Sequence, residues 1–172
     1  MKSEAPLLFI TALIIVVTLA GCTGKGENPA PETTPAVTLE GPLQATALSE
    51  NRIGTLTFSL KLLPGREPED MSRMTFHLYE NSGQRTTDFY NAKNQSVQIS
   101  WRNTTGWANS LLEEGEIATV SLDLRGLGYE LSPREINSGL TIHASGFGTP
   151  TYSFTWCRYL PETLVNGTVY EC

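Results

Sequence analysis

From Val37 onward the apolar residues of this chain recur at every second position, and that period restricts what it can fold into. Leu56, Phe58, Leu60 and Leu62 alternate with Thr57, Ser59 and Lys61, and Met74, Phe76 and Leu78 alternate with Thr75 and His77. The same beat runs through residues 97–101, 120–124, 140–144 and 152–156. Side chains of a strand point to opposite faces in turn, so this pattern gives strands with one buried and one wet face. Turn chemistry separates the runs: Pro64-Gly65, Asn81-Ser82-Gly83, Gly106, Glu114-Gly115, Gly126 to Gly128, Ser138-Gly139 and Gly146 to Gly148. The spacing predicts an all-β domain over residues 37–172, folded as a two-sheet β-sandwich. No segment sustains an apolar period of 3.6, and only Pro133-Arg134-Glu135-Ile136 predicts a short helical turn.

The first 36 residues follow other rules. Lys2 precedes an apolar run from Leu7 to Ala20, and Leu19-Ala20-Gly21-Cys22 closes it with small residues before a cysteine. A secretory signal has this order of charge, apolar stretch and small cleavage site. Cysteine after Leu-Ala-Gly resembles the lipobox of prokaryotic lipoproteins, in which Cys22 takes a lipid and becomes the first residue. The run would reach roughly 21 Å as a helix, short of the ~30 Å hydrocarbon core. Residues 1–21 are therefore expected to be a lipoprotein-type signal peptide, the alternative being an uncleaved anchor helix. Pro29, Pro31 and Pro35 then punctuate a Thr- and Glu-bearing stretch with nothing to bury. Residues 22–36 read as the lipidated cysteine and a semi-rigid tether, spanning on the order of 40 Å.

Charge and cysteine usage bound the partners and the compartment. Twelve basic against 18 acidic residues give a net charge of −6. A phosphate backbone needs a basic footprint, so no nucleic-acid partner is expected. An acidic domain is not held to anionic headgroups by its own charge either, which leaves membrane attachment to the lipid at Cys22. With Cys22 lipidated, Cys157 and Cys172 remain as a pair, expected to be joined in an oxidising exterior and to pin residue 172 to the strand at 152–156. Sequons at Asn94, Asn103 and Asn166 lie at or beside strand ends, as possible N-glycosylation sites.

Patterns that carry catalysis or cofactors are sparse. His77 and His143 fall at polar positions of their strands and are expected to face solvent, with no G-x-S-x-G motif beside either. Glu67, Glu69 and Asp70, and Glu113, Glu114 and Glu116, lack the spacing of a calcium loop and read as solvated acidic turns. Gly126-Leu127-Gly128 and Gly146-Phe147-Gly148 do not extend to a phosphate-binding loop. Trp101, Phe154 and Trp156 sit in the buried phase of their strands and are expected in the core, whereas Trp107 follows Gly106 in a loop. These readings imply no catalytic residue, no metal and no cofactor.

The stretch from Trp101 to Leu124 (WRNTTGWANSLLEEGEIATVSLDL) and the later LSPREINSGLTIHASGFGTPTYSFTWCRYLP carry a family resemblance. They resemble the outer domain of archaellins, the archaeal flagellins. Leu112-Glu113-Glu114-Gly115-Glu116 is similar to the turn before an alternating strand in that family, and Val120 to Leu124 to the strand. Leu131-Ser132-Pro133, Leu140-Thr141-Ile142 and Arg158-Tyr159-Leu160-Pro161 match the segments that follow, and Met71 to Thr75 matches an upstream one. The match covers residues 71–161, with short motifs. It implies an immunoglobulin-like sandwich that acts through protein contacts at an archaeal surface. Archaellins cut a basic signal before a long apolar helix that builds the filament core. Here the apolar run ends in a lipobox and prolines follow, which leaves no place for that helix. The Cys157–Cys172 pair also departs from the family pattern.

The expected function is thus a lipid-anchored surface module that binds an unknown surface or filament protein. A membrane-embedded, filament- or motor-associated component with an uncleaved helix is the alternative. A secreted carbohydrate-binding or hydrolytic domain would need Trp107 and two facing carboxylates in one cleft.

Overall fold

The computed structural model describes residues 34–80, 87–90, 95–103, 109–146 and 149–172, with the backbone alone for Glu80 and residues 87–90. The expected signal segment, Cys22 and most of the tether lie outside the described residues. The strands are β1 (Val37–Leu39), β2 (Gln44–Ser49), β3 (Arg52–Leu62), β4 (Glu69–Asp70), β5 (Thr75–Glu80) and β6 (Thr87–Tyr90). They continue with β7 (Val97–Arg102), β8 (Leu111–Leu112), β9 (Ile117–Asp123), β10 (Leu140–Ser145), β11 (Tyr152–Thr155) and β12 (Val169–Glu171). One short helix, α1 (Pro133–Asn137), precedes β10.

The larger sheet runs β12-β2-β3-β9-β7, with β1 also on β3, and the second runs β11-β10-β5-β6. Every pairing in them is antiparallel. The eleven-residue β3 organises the larger sheet. Its second half pairs with β1 through Leu39↔Leu60, its first half with β2 through Gln44↔Thr57, and its other edge with β9. Gly41, at φ +79°, takes the chain from β1 to β2 in a conformation that few other residues adopt.

The apolar phase of each strand fills the space between the sheets, as the alternation predicts. Leu56, Phe58 and Leu60 of β3, Phe76 and Leu78 of β5, Val120 and Leu122 of β9, and Leu140 and Ile142 of β10 are all buried. Phe58 is the hub. Its ring meets Phe76 edge-on at 5.5 Å and Phe154 at 4.9 Å, so three strands from both sheets lock on one side chain. Burying a side chain of this size stabilises by about 1.5–3 kcal/mol. Thr38 Oγ1 donates to Tyr152 Oη at 3.3 Å, adding a polar tie between β1 and β11.

Pro133–Asn137 forms the expected helical turn, with Pro at its start, where no N–H is needed. Ser132 caps it. The Ser132 N–H donates to Glu135 Oε2 at 2.6 Å, and the Glu135 N–H donates to Ser132 Oγ at 3.3 Å, a reciprocal capping box. Two features differ from expectation. A separate two-stranded ribbon joins β4 to β8 through Glu69↔Leu112 and Asp70↔Leu111, and strands that short display no period. Trp101 is half-buried rather than core, because β7 is an edge strand and only one neighbour covers it. Phe154 and Trp156 are buried as expected, although Trp156 lies just past the end of β11.

Candidate functional site

The closing segment of the chain builds a rim that spans both sheets. Cys157 follows β11 and Cys172 follows β12, and a disulfide joins them with the Cα atoms 5.3 Å apart. Because β11 and β12 are edge strands of different sheets, the bond clips the sandwich shut along one side. Spacing alone pointed only to a tie onto β11. Between the cysteines, Leu160 and Leu164 are buried, and the Asn137 side chain clamps Leu160 from both ends. Asn137 Nδ2 donates to the Leu160 carbonyl at 2.9 Å, and the Leu160 N–H donates to Asn137 Oδ1 at 2.8 Å. Beyond these anchors the rim turns apolar outward. Tyr159 is 73% exposed, Val165 66%, Val169 49% and Leu48 45%. Val169 pairs with Thr46, and Leu48 follows two residues later in β2, beyond a register shift at Ala47.

Two of the three sequon asparagines lie among described residues. Asn166 is exposed in the turn before β12, next to Val165. Asn103 is exposed at the end of β7 with φ +58°, a backbone region that asparagine tolerates. Asn94 and Trp107 lie outside the described residues.

The outer face of the larger sheet is a ladder of hydroxyls. Ser59 Oγ and Thr119 Oγ1 lie 2.8 Å apart, Thr57 Oγ1 and Ser121 Oγ 3.2 Å, and Arg102 Nη2 donates to Ser59 Oγ at 3.4 Å. These pairs bury Ser59 although it occupies the outward phase of β3. Around them lies an open concavity of about 660 Å³, bordered by Gln44, Ser100, Arg102 and Glu171.

The outer face of the other sheet holds both histidines. His77 of β5 and His143 of β10 are directly opposite each other in the register. Both are half-buried on this outer face, at the polar positions of their strands. The Tyr79 ring lies 4.2 Å from the His143 ring, and Thr75 Oγ1 is 3.2 Å from His77 Nε2. Desolvation, then the charge of His77, holds His143 below the usual imidazole range.

The acidic runs are not simple solvated turns. Glu69 and Glu116 are 5% and 6% exposed. Glu116 folds back so that Oε2 accepts the Glu113 N–H at 3.0 Å, closing its turn. Asp70 accepts from the Ser72 hydroxyl at 2.6 Å and the Ser72 N–H at 3.0 Å; the hydroxyl bond leads in holding its carboxyl below the usual range. These carboxylates brace turns, which residue type alone does not reveal. Among the described residues no group of three or more His, Cys, Asp or Glu converges to hold a metal ion. Also among them, no helix is long and apolar enough to cross a membrane.

No protein-family model matches the sequence, and no curated protein matches it. Solved structures do. The crystal structure of archaeal flagellin FlaB1 from Methanocaldococcus jannaschii is similar at a TM-score of 0.57 and 14% identity, over 80% of this chain and 96% of that one. The archaeal flagellum of Methanospirillum hungatei strain JF1 is similar at a TM-score of 0.54 and 19% identity, over 94% of this chain and 82% of that one. The periplasmic stator complex of FlaF and FlaG from Sulfolobus acidocaldarius gives a TM-score of 0.48 at 13% identity, over 73% and 91% of the two chains. The two higher-scoring likenesses agree with the motifs of residues 71–161: the fold of this chain is archaellin-like.

Proposed function

We propose that this chain is a lipid-anchored, outward-facing module of an archaeal cell surface, working through contacts with a surface or filament protein and not through catalysis. The observation that carries the reading is an archaellin-like sandwich on a chain whose apolar run ends in Leu19-Ala20-Gly21-Cys22. Residues 1–21 act as the signal, Cys22 holds the lipid, and the Pro-rich stretch to residue 36 lifts the sandwich off the membrane. The disulfide suits an oxidising exterior. The exposed side chains of Leu48, Tyr159, Val165 and Val169 supply apolar surface for a partner, and a glycan at Asn166 would stand beside Val165.

A Cys22→Ser substitution in the native host, followed by cell fractionation, tests the anchor. The wild-type domain is expected in the membrane fraction and digestible by protease added outside intact cells. The variant is expected to lose the lipid mass and leave the mature membrane-bound pool. A variant that stays in the membrane at unchanged mass, with residues 1–21 retained, would favour the embedded component with an uncleaved helix. A domain protected from external protease would contradict the surface reading.

A further inference from the structure

The loop that follows Cys157 is fastened along its length, yet its most exposed side chain is aromatic. The Trp156 indole N–H donates to the Arg158 carbonyl, and Asn137 holds both the N–H and the carbonyl of Leu160. Between those ties stands Tyr159, 73% exposed, while Leu160 and Leu164 of the same segment are buried. The Tyr159 ring walls a concavity of about 480 Å³, whose other sides come from Asn51, α1 and Glu162. These walls are joined to one another. The Leu164 N–H donates to the Glu50 carbonyl at 2.6 Å, and the Ile53 N–H to the Leu131 carbonyl at 2.8 Å, just before the Ser132 cap of α1. A tyrosine held out to solvent on a fixed backbone gives a preformed contact surface at low entropic cost.

Around the ring stand polar groups with capacity to spare. Arg134, Glu162 and Asn51 are exposed, and among the described residues neither Arg134 nor Glu162 enters an ion pair. Asn51 Oδ1 accepts from Ser49 Oγ at 3.2 Å, and among the described residues its amide N–H groups have no acceptor. We infer that this concavity binds a neutral pyranose sugar, with one C–H face stacked on Tyr159 and its hydroxyls bonded by Arg134, Asn51 and Glu162. A pyranose presents an apolar face of C–H bonds and a rim of hydroxyls that both donate and accept. That is the complement of an aromatic ring edged by guanidinium, amide and carboxylate. A purely apolar segment docked here would leave those three polar groups without partners, and an anionic ligand would meet the Glu162 carboxylate as well as Arg134. The inference rests on the surface-module reading only for where the sugar is carried, as a glycan on the partner. Binding of a free sugar does not depend on it.

The sample for the test is the full-length protein, extracted in a detergent that has no sugar headgroup. Methyl glucoside, methyl galactoside and methyl N-acetylglucosaminide are the probes, each at millimolar concentration. Saturation-transfer NMR is expected to show transfer from the protein to the ring C–H protons of at least one probe. None is expected to sorbitol, which has the hydroxyls without the ring. Tyr159→Ala should weaken binding about tenfold or more, and Tyr159→Trp should keep it. Arg134→Gln and Glu162→Gln should each weaken it about threefold or more at unchanged Tm. No transfer to any of the three glycosides would overturn the site. So would transfer that Tyr159→Ala leaves unchanged, or equal transfer to sorbitol. Loss of the anchor in the Cys22→Ser test would leave all these results as they are, so the two readings fail separately.

Discussion

At the scale of single residues, the chain uses polar groups in places where their type suggests only solvation. Glu69 is the clearest case. Its carboxylate packs so closely over the backbone of Gly146 that a Cβ there would overlap Glu69 Oε1 and Thr149 Oγ1. Gly146→Ala should therefore cost about 1–3 kcal/mol, the range for overpacking a filled site, read as a fall in the urea midpoint at unchanged slope. A neutral result would show that Glu69 swings away without loss. His143 gives a pH dependence at the same scale. Folding holds it below the ordinary imidazole value of about 6.5. The unfolded chain therefore takes up the proton first, so this contribution to stability is complete above about pH 6.5 and is lost as pH falls below it. The wild-type urea midpoint is expected to drop between pH 7.5 and pH 5.5, and His143→Gln to drop less. Asp70, also held low, contributes in a separate window below the ordinary carboxylate value of about 3.9. Neither the Glu69 packing nor the His77–His143 pairing is readable from sequence, because both depend on which strands become neighbours. The alternation says which face a residue takes and nothing about what stands opposite.

At the scale of elements, the strands were the legible part. Residues 56–62, 74–78, 97–101, 120–124 and 140–144 alternate in sequence, and the phase marked as apolar is the phase that packs inward, less completely at the edge strand β7, where Ile99 and Trp101 are half-buried. The α1 turn was legible too, as the Pro133 to Ile136 segment, whereas its Ser132 capping box emerged with the structure. The β4–β8 ribbon was not, because two residues cannot show a period. Phe58 ties β3 to β5 and β11, so Phe58→Ala should remove a hub and cost about 3–5 kcal/mol. Thermal unfolding would detect this, and a loss below about 1 kcal/mol would mean that the sheets do not depend on that contact. The disulfide acts between elements. It closes a 15-residue separation and joins edge strands of the two sheets. The Cys157→Ser, Cys172→Ser double variant should lose about 3 kcal/mol on the chain-entropy argument, and reductant should mimic it in the wild type. A reductant-insensitive Tm would contradict that role.

At the scale of the whole molecule, two parts of the chain carry different information. The sandwich is archaellin-like, a likeness carried by motifs within residues 71–161 and matched by solved structures at only 14% and 19% identity. The anchoring proposal rests on a short stretch around Cys22 and on the prolines behind it. On the proposed lipid anchor, the Pro-rich stretch would keep the sandwich within a few tens of ångströms of the membrane surface. The exposed apolar residues Leu48, Val165 and Val169 were not legible in the sequence, because their exposure follows from strand pairing and from the path of residues 157–172. The most direct test is the intact mass of the native protein extracted from membranes, measured with and without reductant. The account predicts a chain beginning at Cys22 with added lipid mass, gaining two hydrogens on reduction as Cys157 and Cys172 open. A chain that retains residues 1–21 and carries no lipid would contradict it, and would move the protein into the membrane itself.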